Sequence, residues 1–432
     1  MQTDCFPESI AAWRKAPVSR LAEINPRYPV KKGRGYPFIE MAAVGEDFAG
    51  ILSLDQRKLE GSGLSRFRVG DTLFAKITPC PENGKVALVG ALPDDVGLGS
   101  TEFIVLSPRP GTDPRFLFHL VCSHAVRGRA AARMEGSTGR QRVPEDVFTK
   151  RLLVPVPDSS EQAAIARILD AADTGLERTR AAIERAREAK RAVIQRFFYE
   201  ALGETAYANR PKKKLPIGWS VVTTERLLAE EPKNGVSPEA SSKPPGTPTF
   251  SIAAIRDGRV DLDANDNLKY ARMPEKIAQR FRIQCGDVLI VRGNANPELV
   301  GKAGIVSRFP DDCVYPDIAK RVVFRTEGNP RVSPEFAVLA WNHAVVHNQV
   351  LRLAKTSNGT LKINSRDVKQ IVMPVPTEQE QAKLVQMAAS VDAQIDSLST
   401  VAAAQKRLKQ ALMQDLLTGR VRVQTGAKAT AL

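Results

Sequence analysis

The chain has 432 residues, of which 43% are hydrophobic and 26% are charged, so it can build two or three globular domains with apolar cores. Its formal net charge of +15 favours a polyanionic partner, such as nucleic acid or an anionic membrane surface, over a basic protein without such a partner. No apolar run reaches the roughly 18–20 residues that cross a bilayer, and the N-terminus lacks the basic start and apolar core of a signal peptide. We therefore expect a cytoplasmic protein that does not contact a membrane.

The cysteines and histidines show no pattern typical of a metal or catalytic site. Five scattered cysteines without a Cys-x-x-Cys pair predict reduced thiols rather than a disulfide framework or a zinc site. His343 and His347 lie four residues apart, but Ala344 stands where a zinc protease requires glutamate. The sequence also lacks the N-P-P-[YF] and D-P-P-Y motifs of amino-methyltransferases and the lysine-bearing Walker A loop. We predict no catalytic residue, no cofactor and no bound metal.

The sequence contains two copies of one unit. Val-Pro-Val-Pro at 154–157 recurs as Met-Pro-Val-Pro at 373–376, and Glu161-Gln162 recurs as Glu380-Gln381, both 219 residues later. RVGDTLFAK at 68–76 also parallels QCGDVLIVR at 284–292. Recurrence at this scale indicates a structural repeat. The predicted order is a globular domain, a long helix, a second globular domain and a second long helix.

Each long helix is indicated by its composition and periodicity. Mostly apolar residues, with Lys190 and Lys409 among the exceptions, recur at alternating spacings of four and three from Ile165 to Phe197 and from Leu384 to Leu416, which is a heptad pattern. Ser159 or Ser160 is expected to cap the start of the first helix. We predict one antiparallel intramolecular coiled coil that relates the two globular domains by a pseudo-twofold axis. Pairing of each helix with another chain is the alternative.

The globular segments are predicted to be α/β domains with small twisted sheets, so the fold class is α/β. Short β-type runs follow glycine turns in both copies, and each copy has one helical stretch, at Pro114–Val126 and Pro334–Leu353. The predicted domains are listed in chain order: a globular domain at 1–157, a helix at 158–203, a linker at 204–214, a globular domain at 215–376, a helix at 377–423 and a disordered tail at 424–432.

A basic segment containing glycine and small polar residues follows the helical stretch in each copy, and we predict that it contacts DNA. Backbone N–H groups in such a segment can approach phosphates, and arginine or asparagine can bind base edges. The candidates in the first copy are Arg129, Arg133, Ser137, Thr138, Gly139, Arg140 and Arg142. Those in the second copy are Lys355, Ser357, Asn358, Gly359, Thr360 and Lys362. Lys76, Lys85, Arg292 and Lys302 are secondary candidates, because their glycine-turn context also recurs. Solvated loops with ordinary surface charge are the alternative.

The repeated motifs together resemble a known family. A Pro-Val-Pro strand end, a Glu-Gln pair and a long helix occur twice, and the second helix closes with ALMQDLLTGRVRV at 411–423. This combination resembles the DNA specificity subunit of type I restriction-modification systems over nearly the whole chain. The first helix departs from the family at its end, where Phe197-Phe198-Tyr199-Glu200 replaces Leu-Leu-Thr-Gly.

The resemblance implies a role in recognition without catalysis. Residues 1–157 and 215–376 would be target-recognition domains that each read one half of a bipartite site on double-stranded DNA. The helices would set the gap between the half-sites. Two methyltransferase subunits would dock on the chain, and two restriction subunits can join them. The alternatives are a self-contained nuclease, which would cleave DNA by itself, and a coiled-coil scaffold, which would show no salt-dependent DNA binding.

Overall fold

The computed structural model describes residues 3–6, 13–137, 139–202, 215–262, 267–357 and 359–423. The chain divides into two compact units: unit 1 contains residues 1–181 and 398–432, and unit 2 contains residues 182–397. The predicted linker at 204–214 and the predicted tail at 424–432 lie outside the described residues. None of the helices in the described ranges has an apolar stretch that could span a bilayer.

Unit 1 combines three small sheets with short helices. Its strands are β1 (Thr3–Asp4), β2 (Arg14–Pro17), β3 (Ala22–Ile24), β4 (Gly35–Ile39), β5 (Asp55–Lys58), β6 (Ser65–Phe67), β7 (Thr72–Ala75), β8 (Val86–Leu88), β9 (Gly97–Gly99), β10 (Phe103–Pro108) and β11 (Leu152–Val156). The helices are α1 (Pro114–Cys122), α2 (His124–Ala131) and a π-helical turn, Val147–Arg151. The sheet orders are β3-β10-β7-β8, β5-β4-β9-β6 and β1-β11-β2.

Unit 2 has a related set of small sheets. Its strands are β12 (Ser220–Thr223), β13 (Lys233–Asn234), β14 (Ala240–Ser241), β15 (Thr247–Phe250), β16 (Ile255–Arg256), β17 (Arg259–Val260), β18 (Leu268–Ala271), β19 (Val288–Val291), β20 (Gly293–Asn294), β21 (Ala303–Ile305), β22 (Ala319–Val322), β23 (Lys355–Ser357), β24 (Thr360–Lys362) and β25 (Val372–Val375). The sheet orders are β13-β22-β19-β21-β17-β16, β14-β18-β15, β20-β24-β23 and β12-β25.

The helices complete the fold. One long helix, Ser159–Leu202, follows β11, and another, Glu378–Thr418, follows β25. In chain order the helices from 159 onward are α3 (Ser159–Leu202), α4 (Thr224–Leu227), α5 (Glu275–Ala278), α6 (Pro334–Asn342), α7 (Ala344–Leu353), α8 (Ser365–Gln370) and α9 (Glu378–Thr418). The prediction of a mixed α/β fold with two long helices is therefore confirmed. α4 and α5 are single turns.

The two long helices pack against each other within each unit. In unit 1, Asp173 of α3 pairs with Lys409 of α9 at 2.5 Å, and Glu161, earlier in α3, pairs with Arg422, beyond the end of α9. The contacts move backward along α9 as they move forward along α3, so the packing is antiparallel. In unit 2, Lys190 pairs with Asp392 at 2.8 Å. Both lysines occupy positions of the predicted heptad seam.

The cores join the long helices to the globular parts. In unit 1, Phe116 of α1 belongs to one buried cluster with Ile165 and Leu169 of α3 and Leu416 of α9. In unit 2, Phe336 of α6 belongs to a cluster with Phe198 of α3 and Leu384 of α9. In each unit, the apolar side of the α3–α9 pair is therefore buried against a short helix, α1 in unit 1 and α6 in unit 2. Burial of a side chain of this size contributes about 1.5–3 kcal/mol.

Two local predictions were wrong: the residue that caps α3, and the continuity of the helical stretch in each copy. Asp158, rather than Ser159 or Ser160, caps α3, because its carboxylate accepts the N–H of Glu161 at 2.9 Å. Each predicted single helical stretch is two helices, because Ser123 and His343 adopt extended ψ values of 144° and 149°. The side chain of each of these two residues accepts an N–H of the second helix. At Ser123 and His343, a polar side chain thus starts a new helix within a largely apolar stretch.

The repeated Glu-Gln pair ties each long helix to its unit. The Gln162 side chain donates to the carbonyl of Pro157 and accepts the N–H of Asp113, the residue that caps α1, both at 2.9 Å. Gln381 makes the same two contacts with Pro376 and Ser333, at 3.1 and 3.0 Å. Both glutamines are buried. The preceding glutamates, Glu161 and Glu380, accept the indole N–H of Trp13 and Trp219, both at 2.9 Å.

Gln162→Ala and Gln381→Ala are each expected to lower the free energy of unfolding by about 2 kcal/mol, because each leaves a backbone N–H and a carbonyl without a partner. Chemical unfolding followed by circular dichroism measures the change. Gln379→Ala is the matched control, since Gln379 is exposed on the first turn of α9. Equal effects of Gln381→Ala and Gln379→Ala would contradict this role for the buried amide.

Candidate nucleic-acid interface

The predicted basic segment of unit 2 forms a β-hairpin. β23 and β24 pair antiparallel, with Lys355 opposite Lys362, and β20 extends the sheet by pairing Gly293 with Lys362. Gly359, in the turn, has a φ of 72°, a conformation that glycine adopts without strain. The hairpin therefore presents two lysines side by side at one end of a short sheet. Asn358 lies outside the described residues, and the side chain of Ser357 is not described.

The equivalent segment of unit 1 also folds back as a hairpin, but it is paired by isolated β-bridges instead of regular strands. Glu135 and Arg142 exchange both backbone hydrogen bonds at 2.9 Å, and Arg142 also bridges to Ile77. Gly136 has a φ of 121°, and a Cβ there would lie 3.1 Å from the carbonyl oxygen of Arg140, so this position requires glycine. Gly139 also has a positive φ, of 79°. Thr138 lies outside the described residues.

The structure brings two of the secondary candidates to these hairpins. The N–H of Val143 donates to the carbonyl of Lys76, and the N–H of Ile363 donates to the carbonyl of Arg292, both at 2.9 Å. Lys76 directly follows β7 and Arg292 directly follows β19, so in each unit the residue after this strand is hydrogen-bonded to the end of the hairpin segment. Lys85 and Lys302 lie next to glycines with φ of 72° and 74°, in equivalent loops. Lys85 donates to the carbonyl of Met41 at 3.3 Å.

Several predicted cations are held by internal partners. Arg142 binds both carboxylate oxygens of Glu102, at 2.7 and 2.9 Å. These hydrogen bonds, with a weaker contribution from the charge of Lys76, lower the pKa of Glu102. Arg292 pairs with Asp317 at 2.5 Å. A carboxylate thus orients one arginine at each hairpin, Arg142 within the first and Arg292 beside the second. Each arginine must leave or share that carboxylate to reach a phosphate.

Arg129 and Arg133 brace helix α2. Arg129 donates to the carbonyl of Ala125 at 3.1 Å, and Arg133 donates to the carbonyl of Arg129 at 2.8 Å and to the hydroxyl of Thr3. These contacts join α2 to the edge strand β1. The two side chains therefore stabilise the end of α2, which leads into the hairpin, by packing as well as by charge.

Other predicted residues remain at the surface. Arg140, Lys355 and Lys362 are exposed and form no ion pair within the part of the chain that the structure describes. Ser137 is exposed and Thr360 is half-buried. Each hairpin therefore carries at least one cation that solvent or a polyanion can reach.

Sequence reasoning missed Lys320, a buried lysine of strand β22 in unit 2. Lys320 is 1% exposed, and its ammonium donates to Asn234 Oδ1 at 2.5 Å and to Ser365 Oγ at 3.0 Å. Burial, with a contribution from the charge of Arg292, lowers the pKa of Lys320 to about 8. The only signal in the sequence was a lysine inside the apolar run of β22. Asn234 and Ser365, far apart in the chain, gave no sign that they would meet it.

The histidine pair does not form a metal site in the described structure. The ring of His343 stacks on Phe198 with 4.7 Å between centroids, and its Nε2 lies 2.7 Å from Gln195. Burial lowers the pKa values of His343 and His347 to about 4, so both rings are neutral near pH 7. No group of three possible metal ligands occurs among the described residues.

Comparison with known proteins finds that the chain is similar to type I specificity subunits. No family model matches the chain. The type I restriction enzyme EcoKI specificity subunit of Escherichia coli K12 is 24% identical over 300 residues, which are 68% of this chain and 62% of that subunit. The EcoAI specificity subunit of E. coli is 33% identical over 159 residues, which are 35% of this chain and 26% of that subunit. The match spans less than two thirds of either relative.

A solved structure shares the fold. The type I restriction-modification S subunit from M. genitalium superposes with a TM-score of 0.51 at 15% identity, covering 95% of this chain and 97% of that one. The chain thus resembles type I specificity subunits, as its motifs predict, in sequence and in fold.

The variant Lys320→Met is expected to remove a pH dependence of stability. The folded protein binds this proton less tightly than the unfolded chain, whose lysine has the ordinary pKa of 10.5. The ammonium therefore opposes folding at pH 7, and its cost of about 3 kcal/mol disappears as the pH rises from 8 to 10.5. Urea unfolding of both proteins at pH 7 and pH 10 measures this. A stability difference that does not change between the two pH values would show that Lys320 titrates normally.

Proposed function

We propose that this chain is the DNA-binding specificity subunit of a type I restriction-modification complex, without catalytic residues of its own. The observation that carries the proposal is the basic hairpin that occurs once in each unit. Each hairpin segment is hydrogen-bonded to the residue that follows β7 or β19, and each has an arginine that pairs with a carboxylate. The likeness to type I specificity subunits in sequence and fold supports it.

Each hairpin has the chemistry of a DNA-reading element. A two-stranded β-ribbon fits the major groove, and exposed arginine and lysine can bind phosphates or guanine. The exposed cations that form no ion pair among the described residues are Arg140 in unit 1 and Lys355 and Lys362 in unit 2. Because the two hairpins differ in sequence, each unit would read a different half of an asymmetric, bipartite site. The net charge of +15 would strengthen binding to phosphates.

The long helices would serve a different purpose from the hairpins. Between residues 160 and 203 the chain has eight basic and seven acidic residues, so this helix attracts DNA weakly. We propose that α3 and α9 set the gap between the half-sites and offer docking surfaces to two methyltransferase subunits. Those subunits would supply adenine methylation, and two restriction subunits can complete the assembly.

Deletion of the gene is expected to remove one split, asymmetric motif from the N6-methyladenine map of the host genome. Sequencing that detects methylated adenine, applied to the parent, the deletion strain and a strain with the gene restored, makes the comparison. An unchanged map in a host whose methyltransferase subunit is expressed would argue against the proposal. Site-specific cleavage of DNA by the pure chain with Mg²⁺ would point to a nuclease instead.

Arg140→Ala and Lys362→Ala are each expected to weaken binding of the complex to its DNA and to reduce the slope of log K against log salt by about 1. Titration of labelled duplexes at several salt concentrations measures the slope. Arg167→Ala, which removes an exposed arginine from α3, is the control with the same change in charge. Equal losses in all three variants would mean that net charge, rather than the hairpins, determines binding.

A further inference from the structure

In unit 2, a charged side chain from the globular part joins the ion pair between the long helices. Arg259 of β17 donates to both oxygens of Asp396, at 2.8 and 3.1 Å, and lies 3.3 Å from Asp392. Asp392 in turn accepts two hydrogen bonds from Lys190 of α3, both at 2.8 Å. Three separate elements, β17, α9 and α3, therefore meet in one network of charges.

The Lys190–Asp392 pair is shielded from solvent, whereas Arg259 and Asp396 lie nearer the surface, with side chains 39% and 61% exposed. The side chains of Lys190 and Asp392 are 14% and 17% exposed, so their attraction is screened less than that of a surface pair. Arg259 follows a turn in which Asp257 and Gly258 have φ of 51° and 79°. Its carbonyl also lies only 2.5 Å from where a Cβ would stand on Gly304, so the backbone leaves no room for movement toward β21.

Unit 1 has a counterpart that uses a different side chain. His119 of α1 is fully buried, with Nε2 at 2.9 Å from Asp170 and Nδ1 at 4.0 Å from Asp173, both on α3. Asp173 pairs with Lys409 of α9 at 2.5 Å. The His119 ring thus contacts α3 through Asp170 and lies 4.0 Å from the helix-to-helix ion pair. In the repeat, Asp173 corresponds to Asp392 and Lys409 to Lys190, which shows that the ion pair is duplicated while its third member is not.

Each of these side chains is connected to a hairpin through regular structure. Arg259 pairs with Ile305 of β21, β21 pairs with β19, and β19 leads into Arg292 and β20, which pairs with β24 of the hairpin. In unit 1, α1 leads through α2 to Glu135, where the first hairpin begins. A change in how the globular part sits on its helix pair would therefore move the hairpin.

We propose that Arg259 and His119 are positioning residues that hold each hairpin at a fixed place on its helix pair, and thereby set how strictly the gap between half-sites is read. This inference rests on the proposed function. Successive base pairs are 3.4 Å apart along B-DNA, so a gap can be read to one base pair only if the hairpin stays within that distance of its place.

Binding of the assembled complex to duplexes with the native gap, and with gaps one base pair shorter or longer, tests the proposal. In Arg259→Gln, the ratio of the Kd for an altered gap to the Kd for the native gap is expected to fall about tenfold. Preference for the half-site sequences should be retained. Arg259→Lys, which keeps a cation at the network, is expected to give an intermediate ratio. Arg256→Gln is the matched control, since Arg256 in the adjacent strand pairs with Asp261 and with neither long helix.

A second variant guards against loss of folding in the first. His119→Leu places in unit 1 the residue type that unit 2 has at Leu339, and it should relax the gap in the same way. Hydrogen exchange at the amide of Ile305, which donates to the carbonyl of Gly258 at 3.1 Å, reports on the joint without DNA and should be faster in Arg259→Gln only. Wild-type gap discrimination in both variants, or unchanged exchange, would overturn the inference. If the wild-type complex prefers no split site, the proposed function fails, and exchange still decides whether Arg259 holds β17 in place.

Discussion

Two ion pairs hold lysines inside a helix seam that is otherwise largely apolar: Asp173 with Lys409 in unit 1, and Lys190 with Asp392 in unit 2. A lysine at a seam position costs stability unless a carboxylate meets it, so each pair permits one alignment of the helices and opposes shifted ones. The contacts of Gln162 and Gln381, the two cores and the contacts of Arg259 and His119 with the long helices all require this alignment. The rest of each unit is thus built on a helix pair whose register is specified by charge.

The duplication explains why two units with little sequence identity have similar internal contacts. Trp13 with Glu161 repeats as Trp219 with Glu380, and Gln162 with Asp113 repeats as Gln381 with Ser333. These contacts lie where the long helices begin. At the hairpins the two copies differ, with arginine bound to Glu102 in unit 1 and to Asp317 in unit 2. The repeat therefore keeps the supporting framework alike and varies the surface that would face DNA.

The sequence was sufficient for features that depend on periodicity or local chemistry. Heptads predicted α3 and α9, and Gly139 and Gly359 lie in the predicted basic segments, although the sequence did not indicate that these segments form hairpins. It was insufficient where the partner is distant in the chain: Glu102 is 40 residues from Arg142, and Asp317 is 25 residues from Arg292. Lys320 was missed for the same reason. The helix break at Ser123 escaped prediction because one serine in an apolar run is also compatible with a continuous helix.

The path of the chain through its two units gives them different histories during synthesis. Unit 2 is continuous from Ala182 to Ser397, whereas the core of unit 1 contains Leu416 and Leu417 beside Phe116 and Ile165. On the ribosome, unit 2 can close as soon as its own residues emerge, although it comes later in the sequence. In unit 1, the part of the core around Ile165 and Leu169 lacks Leu416 and Leu417 until the end of α9 has been made, so this part of the first unit is completed last.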